Sequence, residues 1–146
     1  MKKYFIALLS LTSALLLENC QKKAEGPVFA LTGKRWMLEQ VDGTSITVSS
    51  YSHDFNSFVQ FSAQDNSFSG LATCSAIKGE FALAAAGQQL TLTQLTTTPG
   101  SCADLNVATK YLAALPQTKR YEIQANSLLL FDGVATGPRL VFRAAE

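Results

Sequence analysis

The sequence predicts an α+β fold, in which a small curled antiparallel β-sheet or partial barrel packs against one main helix. Three observations favour this fold. Most of the chain after Leu31 alternates apolar and polar residues with the period of two that is typical of half-buried strands. Turn-forming dipeptides separate these stretches. One stretch near residue 110 instead repeats apolar residues at helical spacing.

Length and composition restrict the possible protein classes. The chain has 146 residues, which is enough for one domain. Hydrophobic residues make up 47% of it, a share typical of globular proteins, so a disordered or fibrous chain is not indicated. The formal net charge is +1. Because nucleic-acid binding needs a basic surface, nucleic acid is not expected as a partner.

About six to eight strands are predicted. The clearest is the stretch 90–93, in which Leu and Thr alternate. Similar alternation surrounds four further pairs of inward residues: Trp36 and Leu38, Val59 and Phe61, Tyr121 and Ile123, and Leu140 and Phe142. The dipeptide Asp132-Gly133 predicts a hairpin between the last two apolar stretches.

The helix is predicted to follow Asp104, which is placed to cap its N-terminus. Four residues at spacings of three and four would form its buried face: Leu105, Ala108, Leu112 and Leu115. Pro116 is expected to end the helix, because proline cannot continue the helical hydrogen bonds.

The first 19 residues have the pattern of a secretory signal peptide. Lys2 and Lys3 precede an apolar run from Phe5 to Leu17. As a helix this run would reach only about 20 Å, less than the ~30 Å hydrocarbon core of a bilayer. A permanent membrane span is therefore not predicted.

The end of this segment indicates the type of signal. Leu17-Glu18-Asn19-Cys20 resembles a bacterial lipobox, in which the cysteine is lipidated and becomes the first mature residue. The alternative is that Cys20 is incidental and the signal is cut elsewhere. The resemblance implies a signal peptide over 1–19, a tether over 20–30 and a domain over 31–146. A lipid on Cys20 would attach this domain to a membrane without spanning it.

The same resemblance predicts the location. In lipoprotein sorting the residue after the lipidated cysteine directs the protein, and here it is Gln21 rather than Asp. This implies a lipid-anchored protein of the bacterial cell envelope, in the outer membrane and facing the periplasm.

With Cys20 assigned to the lipid, Cys74 and Cys102 remain. An even pair of cysteines in an oxidising compartment favours a disulfide. Such a bridge would close a loop of about 27 residues and stabilise the fold by roughly 3 kcal/mol in the chain-entropy model. The alternative is two free, buried thiols.

The sequence predicts no enzyme activity, no metal and no cofactor. His53 is the only histidine and lies in a loop rich in Ser and Tyr, where a solvated side chain is expected. Zinc needs three or four convergent ligands, which one histidine and two bridged cysteines do not supply. The chain also has no glycine-rich phosphate loop.

A group of aromatic residues has two interpretations. Four phenylalanines follow one another closely: Phe55, Phe58, Phe61 and Phe68. They could line an apolar ligand cleft in a small barrel. Packing in the core is the commoner use of large aromatic side chains.

Three stretches of the chain also follow the order of a known family. Residues 31–38 resemble its opening strand, with Leu, Gly and Trp in register. Cys74, Ile77, Gly79 and Phe81 have the spacing of its central motif, although Thr73 and Ser75 replace the family's Gly and Asn. The threonine-rich stretch 95–102 is similar to the segment that leads to its second cysteine. These features resemble the META domain of HslJ-like bacterial lipoproteins.

This resemblance covers residues 31–143 and implies the α+β fold. It also supports a disulfide between Cys74 and Cys102. It implies a non-enzymatic envelope lipoprotein that supports envelope integrity or stress tolerance through an unknown protein partner. The alternative function is a small hydrophobic-ligand binding module built on the four phenylalanines.

Overall fold

The computed structural model describes residues 31–47, 56–85, 87–101 and 105–145. The predictions for the signal peptide 1–19 and for the tether 20–30 lie outside this part of the chain. The same is true of four single residues: His53, Phe55, Cys102 and Asp104.

The described residues form nine strands, one α-helix and one 3-10 turn. In chain order the elements are β1 (Arg35–Val41), β2 (Thr44–Ser45), β3 (Phe58–Phe61), β4 (Ser67–Ala72), β5 (Ser75–Leu83), β6 (Leu90–Thr98), α1 (Asn106–Ala114), the 3-10 turn Leu115–Gln117, β7 (Arg120–Gln124), β8 (Ser127–Phe131) and β9 (Leu140–Ala144). None of the helices in the described part is long and apolar enough to cross a membrane.

The strands form one antiparallel sheet in the order β6-β5-β4-β3-β1-β9-β8-β7, with β2 beside the end of β1. The two ends of this order meet at one point. Leu90 N donates to the carbonyl of Lys119 at 3.1 Å, and Tyr121 N donates to the carbonyl of Gln88 at 2.8 Å. The sheet is therefore curled into a half-barrel with a short helix packed against it, which confirms the predicted architecture. The fold is mostly β, so the label α+β describes it only roughly.

The core fills the inside of this half-barrel. Trp36, on β1, is fully buried, and its indole Nε1 donates to the carbonyl of Leu31 at 2.8 Å. The ring of Phe61 meets that of Phe81 edge to face, with 5.2 Å between centroids. Further fully buried large side chains come from most of the elements: Phe68, Tyr111, Tyr121, Phe142, Leu90, Leu115 and Leu128.

The helix buries a different face from the predicted one. Ala108 and Leu115 are buried as expected, but Leu105 is 56% exposed and Leu112 is only partly buried. Tyr111 and Ala114 are buried in their place.

Tyr111 explains this rotation of the helix. Its ring packs edge to face on Phe142, with 5.9 Å between centroids, and its hydroxyl donates to the carbonyl of Phe58 at 3.2 Å. Burying a large aromatic ring, which also has a partner for its hydroxyl, stabilises more than burying one more leucine near the helix end. The tyrosine therefore decides which face turns inward.

Strands β4 and β5 were not predicted, and a glycine accounts for part of this. Gly70 faces inward in β4, opposite Val59 of β3. A Cβ at this position would lie 2.1 Å from the carbonyl oxygen of Phe58, so only glycine fits. Glycine within a strand usually weakens it, so the sequence around Gly70 does not predict a strand. The close approach of the β3 and β4 backbones, which requires the glycine, depends on β3 and is not contained in the local pattern. The hairpin at Asp132-Gly133 was predicted correctly, since it joins β8 to β9.

Candidate functional site

The turn between β4 and β5 contains the start of the central motif, and the rest of the motif lies in β5. Thr73 and Cys74 form this two-residue connection, because Ala72 pairs with Ser75. Cys74 is disulfide-bonded. Its pairing with Cys102 stays a prediction, because Cys102 lies outside the described residues.

The end of β6 passes directly against this turn. Thr98 pairs with Ala76, and the chain then continues to Gly100. A Cβ on Gly100 would lie 1.9 Å from the carbonyl oxygen of Cys74 and 3.3 Å from its Cβ atom. Each further residue extends the chain by at most about 3.6 Å, so position 102 is within reach of the ~4.4–6.8 Å Cα separation of a disulfide. This arrangement supports the predicted bridge.

Thr73 has a backbone conformation that normally requires glycine. Its φ is 56°, in the left-handed region, and its amide donates to the hydroxyl of Ser57 at 2.8 Å. A β-branched residue is strained there, because its Cβ substituents crowd the backbone. This position is the one at which the family resemblance places a glycine, so the turn geometry gives that glycine a physical reason.

The phenylalanines of the predicted cleft lie in different surroundings. Phe61 and Phe68 are fully buried core residues with ring centroids 6.1 Å apart. Phe58 is only half-buried and belongs to the outer face of the sheet, where the guanidinium of Arg35 lies 4.4 Å from its ring centroid. These positions agree with the core-packing interpretation for Phe61 and Phe68. A cleft of all four residues stays a prediction, because Phe55 is not described.

Two aspartates accept hydrogen bonds from the backbone of their own turns, as isolated turn aspartates commonly do. Asp65 accepts hydrogen bonds from the amide and the hydroxyl of Ser67, at 3.0 and 2.6 Å. Asp132 accepts from the amides of Val134 and Ala135, at 2.8 and 2.9 Å. These two hydrogen bonds from backbone amides, together with a hydrogen bond from the Arg139 side chain, lower the pKa of Asp132 to about 2.

Arg139 joins three parts of the chain. It pairs with Asp42 in the β1–β2 turn and, at 3.0 Å, with Asp132 in the β8–β9 loop. Its Nη1 also donates to Gln117 of the 3-10 turn at 3.0 Å. The two carboxylates raise the pKa of the guanidinium. The network holds one end of the half-barrel together, which is a structural role.

Two further features bear on chemistry. Within the described ranges, no group of three or more His, Cys, Asp or Glu side chains is placed to hold a metal ion. The hydroxyl of Tyr121 is buried in the core and has no hydrogen-bond partner among the described residues. Burial raises the pKa of this hydroxyl.

A shallow trough on the outer face of the sheet was not predicted from the sequence. We use "trough" for the two adjoining depressions of about 320 and 460 Å³ that meet at Ser67 and Ser69 of β4. Gln60 of β3 stands on one side and Lys78 of β5 on the other, in the same row across the strands as Ser69. The small serines between two long side chains leave the depression. The alternation of Ser67 and Ser69 with Phe68 was a signal for it.

Comparison with known proteins agrees with the geometry of the fold. A sequence profile for the META domain matches residues 29–146. No curated protein matches the chain. A protein from Burkholderia xenovorans solved by NMR is 23% identical, with a TM-score of 0.59, and the match covers 80% of this chain and 85% of that one.

Two further solved structures share the fold. A second NMR structure is 22% identical, with a TM-score of 0.60, over 81% of this chain and 94% of its own. A crystal structure of a DUF4847-family protein from Bacteroides vulgatus is 15% identical, with a TM-score of 0.53, over 82% of this chain and 96% of its own. At these identities the likeness concerns the fold alone.

Proposed function

Because the chain belongs to the META domain family, we propose that it is a non-enzymatic lipoprotein of the cell envelope. In this proposal it supports envelope integrity or stress tolerance by binding a protein partner. The observation that carries the proposal is the order of its segments, in which a lipobox-like cysteine follows a signal-like run and precedes one folded domain.

The start of the folded domain supports this order. Leu31 is fully buried, and its carbonyl accepts the indole N–H of Trp36. The first core residue that the structure describes thus comes eleven residues after Cys20. The ten residues between them can span at most about 35 Å. Lipid on Cys20 would therefore keep the domain close to the membrane surface.

The engagement of the acidic side chains supports a non-enzymatic role. Asp42 and Asp132 pair with Arg139, and Glu122 pairs with Arg120. Asp65 is bonded to Ser67 within its own turn. These four carboxylates therefore have structural partners, and none of them needs a catalytic role to account for its position.

A complementation experiment tests the proposal. We expect a deletion strain to be sensitised to heat, detergent and envelope-targeting antibiotics. Wild-type protein should restore growth, whereas Cys20→Ser, which removes the lipid acceptor and leaves the domain intact, should not. Normal growth of the deletion strain under all three stresses would contradict the stress role. Full rescue by Cys20→Ser would contradict the need for the anchor.

A further inference from the structure

A groove lies at the end of the half-barrel where the described chain begins. It has a volume of about 490 Å³ and is bounded by the β3–β4 turn, by the end of β5 and by Thr32. Leu31 is fully buried, and Gly33 N donates to the carbonyl of Phe61 at 3.1 Å. The chain therefore enters the fold along the rim of this groove, which we call the entry groove.

The surface that the entry groove offers to a ligand is mainly apolar. Phe81 is buried, Leu83 is partly buried and Ala63 is exposed, and all three line it. Two polar side chains of the β3–β4 turn are already engaged. The hydroxyl of Ser62 accepts from the amide of Asp65 at 3.3 Å, and the Asp65 carboxylate is bonded within the same turn. An apolar side chain is therefore favoured as the occupant.

Only one of the longer stretches outside the described ranges adjoins the entry groove. The stretch 48–55 leads to Ser57, and the stretch 102–104 begins two residues after Gly100. Both of these flanking residues contact the β4–β5 turn. That turn lies at the opposite end of β4 and β5 from the groove. The N-terminal stretch instead leads to Thr32, which lines the groove.

The residues just before Leu31 match the groove in character. Val28 and Phe29 are the only large apolar residues between Cys20 and Leu31, and the five residues before Leu31 include no charge. Phe29 is three residues from Thr32, so the two Cα atoms are at most about 11 Å apart. The match to the META profile begins at residue 29, so Phe29 belongs to the conserved extent of the domain.

We propose that Phe29 docks in the entry groove and that the tether ends there. Burying the aromatic ring against Phe81 and Leu83 is favourable, and the covalent connection keeps the ring at a high effective concentration beside its site. Residues 21–28 alone would then separate Cys20 from the domain, and a lipid on Cys20 would turn the groove end towards the membrane. This inference goes beyond the proposed function, because the docking does not depend on the lipid.

Nuclear Overhauser contacts in the full-length chain in detergent micelles test the docking. We expect the ring protons of Phe29, assigned by comparison with Phe29→Ser, to show contacts with the methyl groups of Leu83 and Ala63. A mixed sample of labelled and unlabelled chains separates contacts within one chain from contacts between two. The inference is overturned if Phe29 contacts no groove residue. It is also overturned if the contacts arise only between two chains, which would assign the groove to a second copy.

Two serine variants of the tether provide the matched comparison. Phe29→Ser removes the docked ring, whereas Ala24→Ser changes the same tether outside the docked segment. Loss of a buried aromatic ring should raise amide exchange by about tenfold or more at residues 62–66 and 81–83. Ala24→Ser should exchange like wild type. No change in Phe29→Ser, or a rise spread evenly over the whole sheet, would contradict the docking.

The same measurements on Cys20→Ser separate this inference from the proposed function. The contacts of Phe29 with the groove should persist in this variant, because they need no lipid. Loss of the contacts in Cys20→Ser would contradict a docking that is independent of the anchor.

Discussion

Gly79 lies directly opposite Phe68 across the β4–β5 pair, and the Phe68 ring occupies the space that a side chain at residue 79 would need. A Cβ at this position would lie 2.7 Å from two atoms of the ring and 2.7 Å from the carbonyl oxygen of Thr93. The ring covers the bare strand position and itself belongs to the core. The glycine of the central motif is thus explained by the aromatic residue packed on it.

This contact predicts the effect of Gly79→Ala. The added methyl group meets a buried ring and a backbone oxygen, so the variant should lose roughly 1–3 kcal/mol of unfolding free energy. Urea denaturation followed by circular dichroism measures the loss. Gly137→Ala is the control, because a Cβ there meets nothing within 4 Å. Equal stability of the two variants would contradict the packing account.

The turn at Thr73 predicts that Thr73→Gly stabilises the protein. Glycine adopts the left-handed conformation freely, so we expect a gain of about 1 kcal/mol in unfolding free energy. Thr91→Gly, at an exposed position of β6, should instead lose stability, because glycine is unfavourable within an ordinary strand. Thermal unfolding of both variants provides the comparison. A destabilised Thr73→Gly variant would show that the threonine makes a contact worth more than the strain.

Asp132 predicts a specific pH dependence. Its pKa in the folded protein is about 2, below the ordinary value of 3.8, because the amides of Ala135 and Val134 and the side chain of Arg139 bond to the carboxylate. Because the pKa is lowered in the folded protein, the ionised carboxylate stabilises the fold at pH values above the ordinary pKa. This contribution is lost as the pH falls from about 4 towards 2.

Comparison of wild type with Asp132→Asn measures this contribution. The variant cannot ionise at residue 132, so its unfolding free energy should fall less than that of wild type between pH 5 and pH 2. Urea denaturation at half-unit pH steps provides the two curves. If the curves stay parallel through this range, the carboxylate does not titrate as described.

Two buried tyrosines should respond differently to loss of the hydroxyl. Tyr111 donates to the carbonyl of Phe58, so Tyr111→Phe should lose about 1 kcal/mol of stability. The hydroxyl of Tyr121 has no partner in the described part of the chain, so Tyr121→Phe should gain about 1 kcal/mol or remain neutral. Denaturation curves of both variants test this. A loss of more than 1 kcal/mol in Tyr121→Phe would show that its hydroxyl is satisfied, for example by a buried water.

The predictability of the strands follows from their packing. The stretch 90–93 was recognisable because it faces the core with alternate residues only, Leu90 and Leu92 being buried while Thr91 and Thr93 are exposed. Strands β4 and β5 were not recognisable in the sequence, because the contacts that position them involve Gly70 and Gly79, which have no side chain. Their position depends on residues of other strands, which a local pattern does not contain.

The helix and the trough show the same limit. Helical spacing indicated that a helix forms near residue 110, but its inward face was decided by the partner ring of Phe142 and the carbonyl of Phe58, both distant in sequence. The trough depends on the register that brings Gln60, Ser69 and Lys78 into one row. Sequence alternation gives the face on which each residue lies but not which residues become neighbours across strands.

The central claim is a lipid-anchored META domain held by a bridge between Cys74 and Cys102. The intact mass of the protein extracted from the membrane of its own host, before and after reduction and alkylation, tests it most directly. The account predicts the mass of residues 20–146 plus a diacyl or triacyl group, with two thiols that react only after reduction. An unlipidated mass would contradict the anchor, and thiols that react without reduction would contradict the bridge.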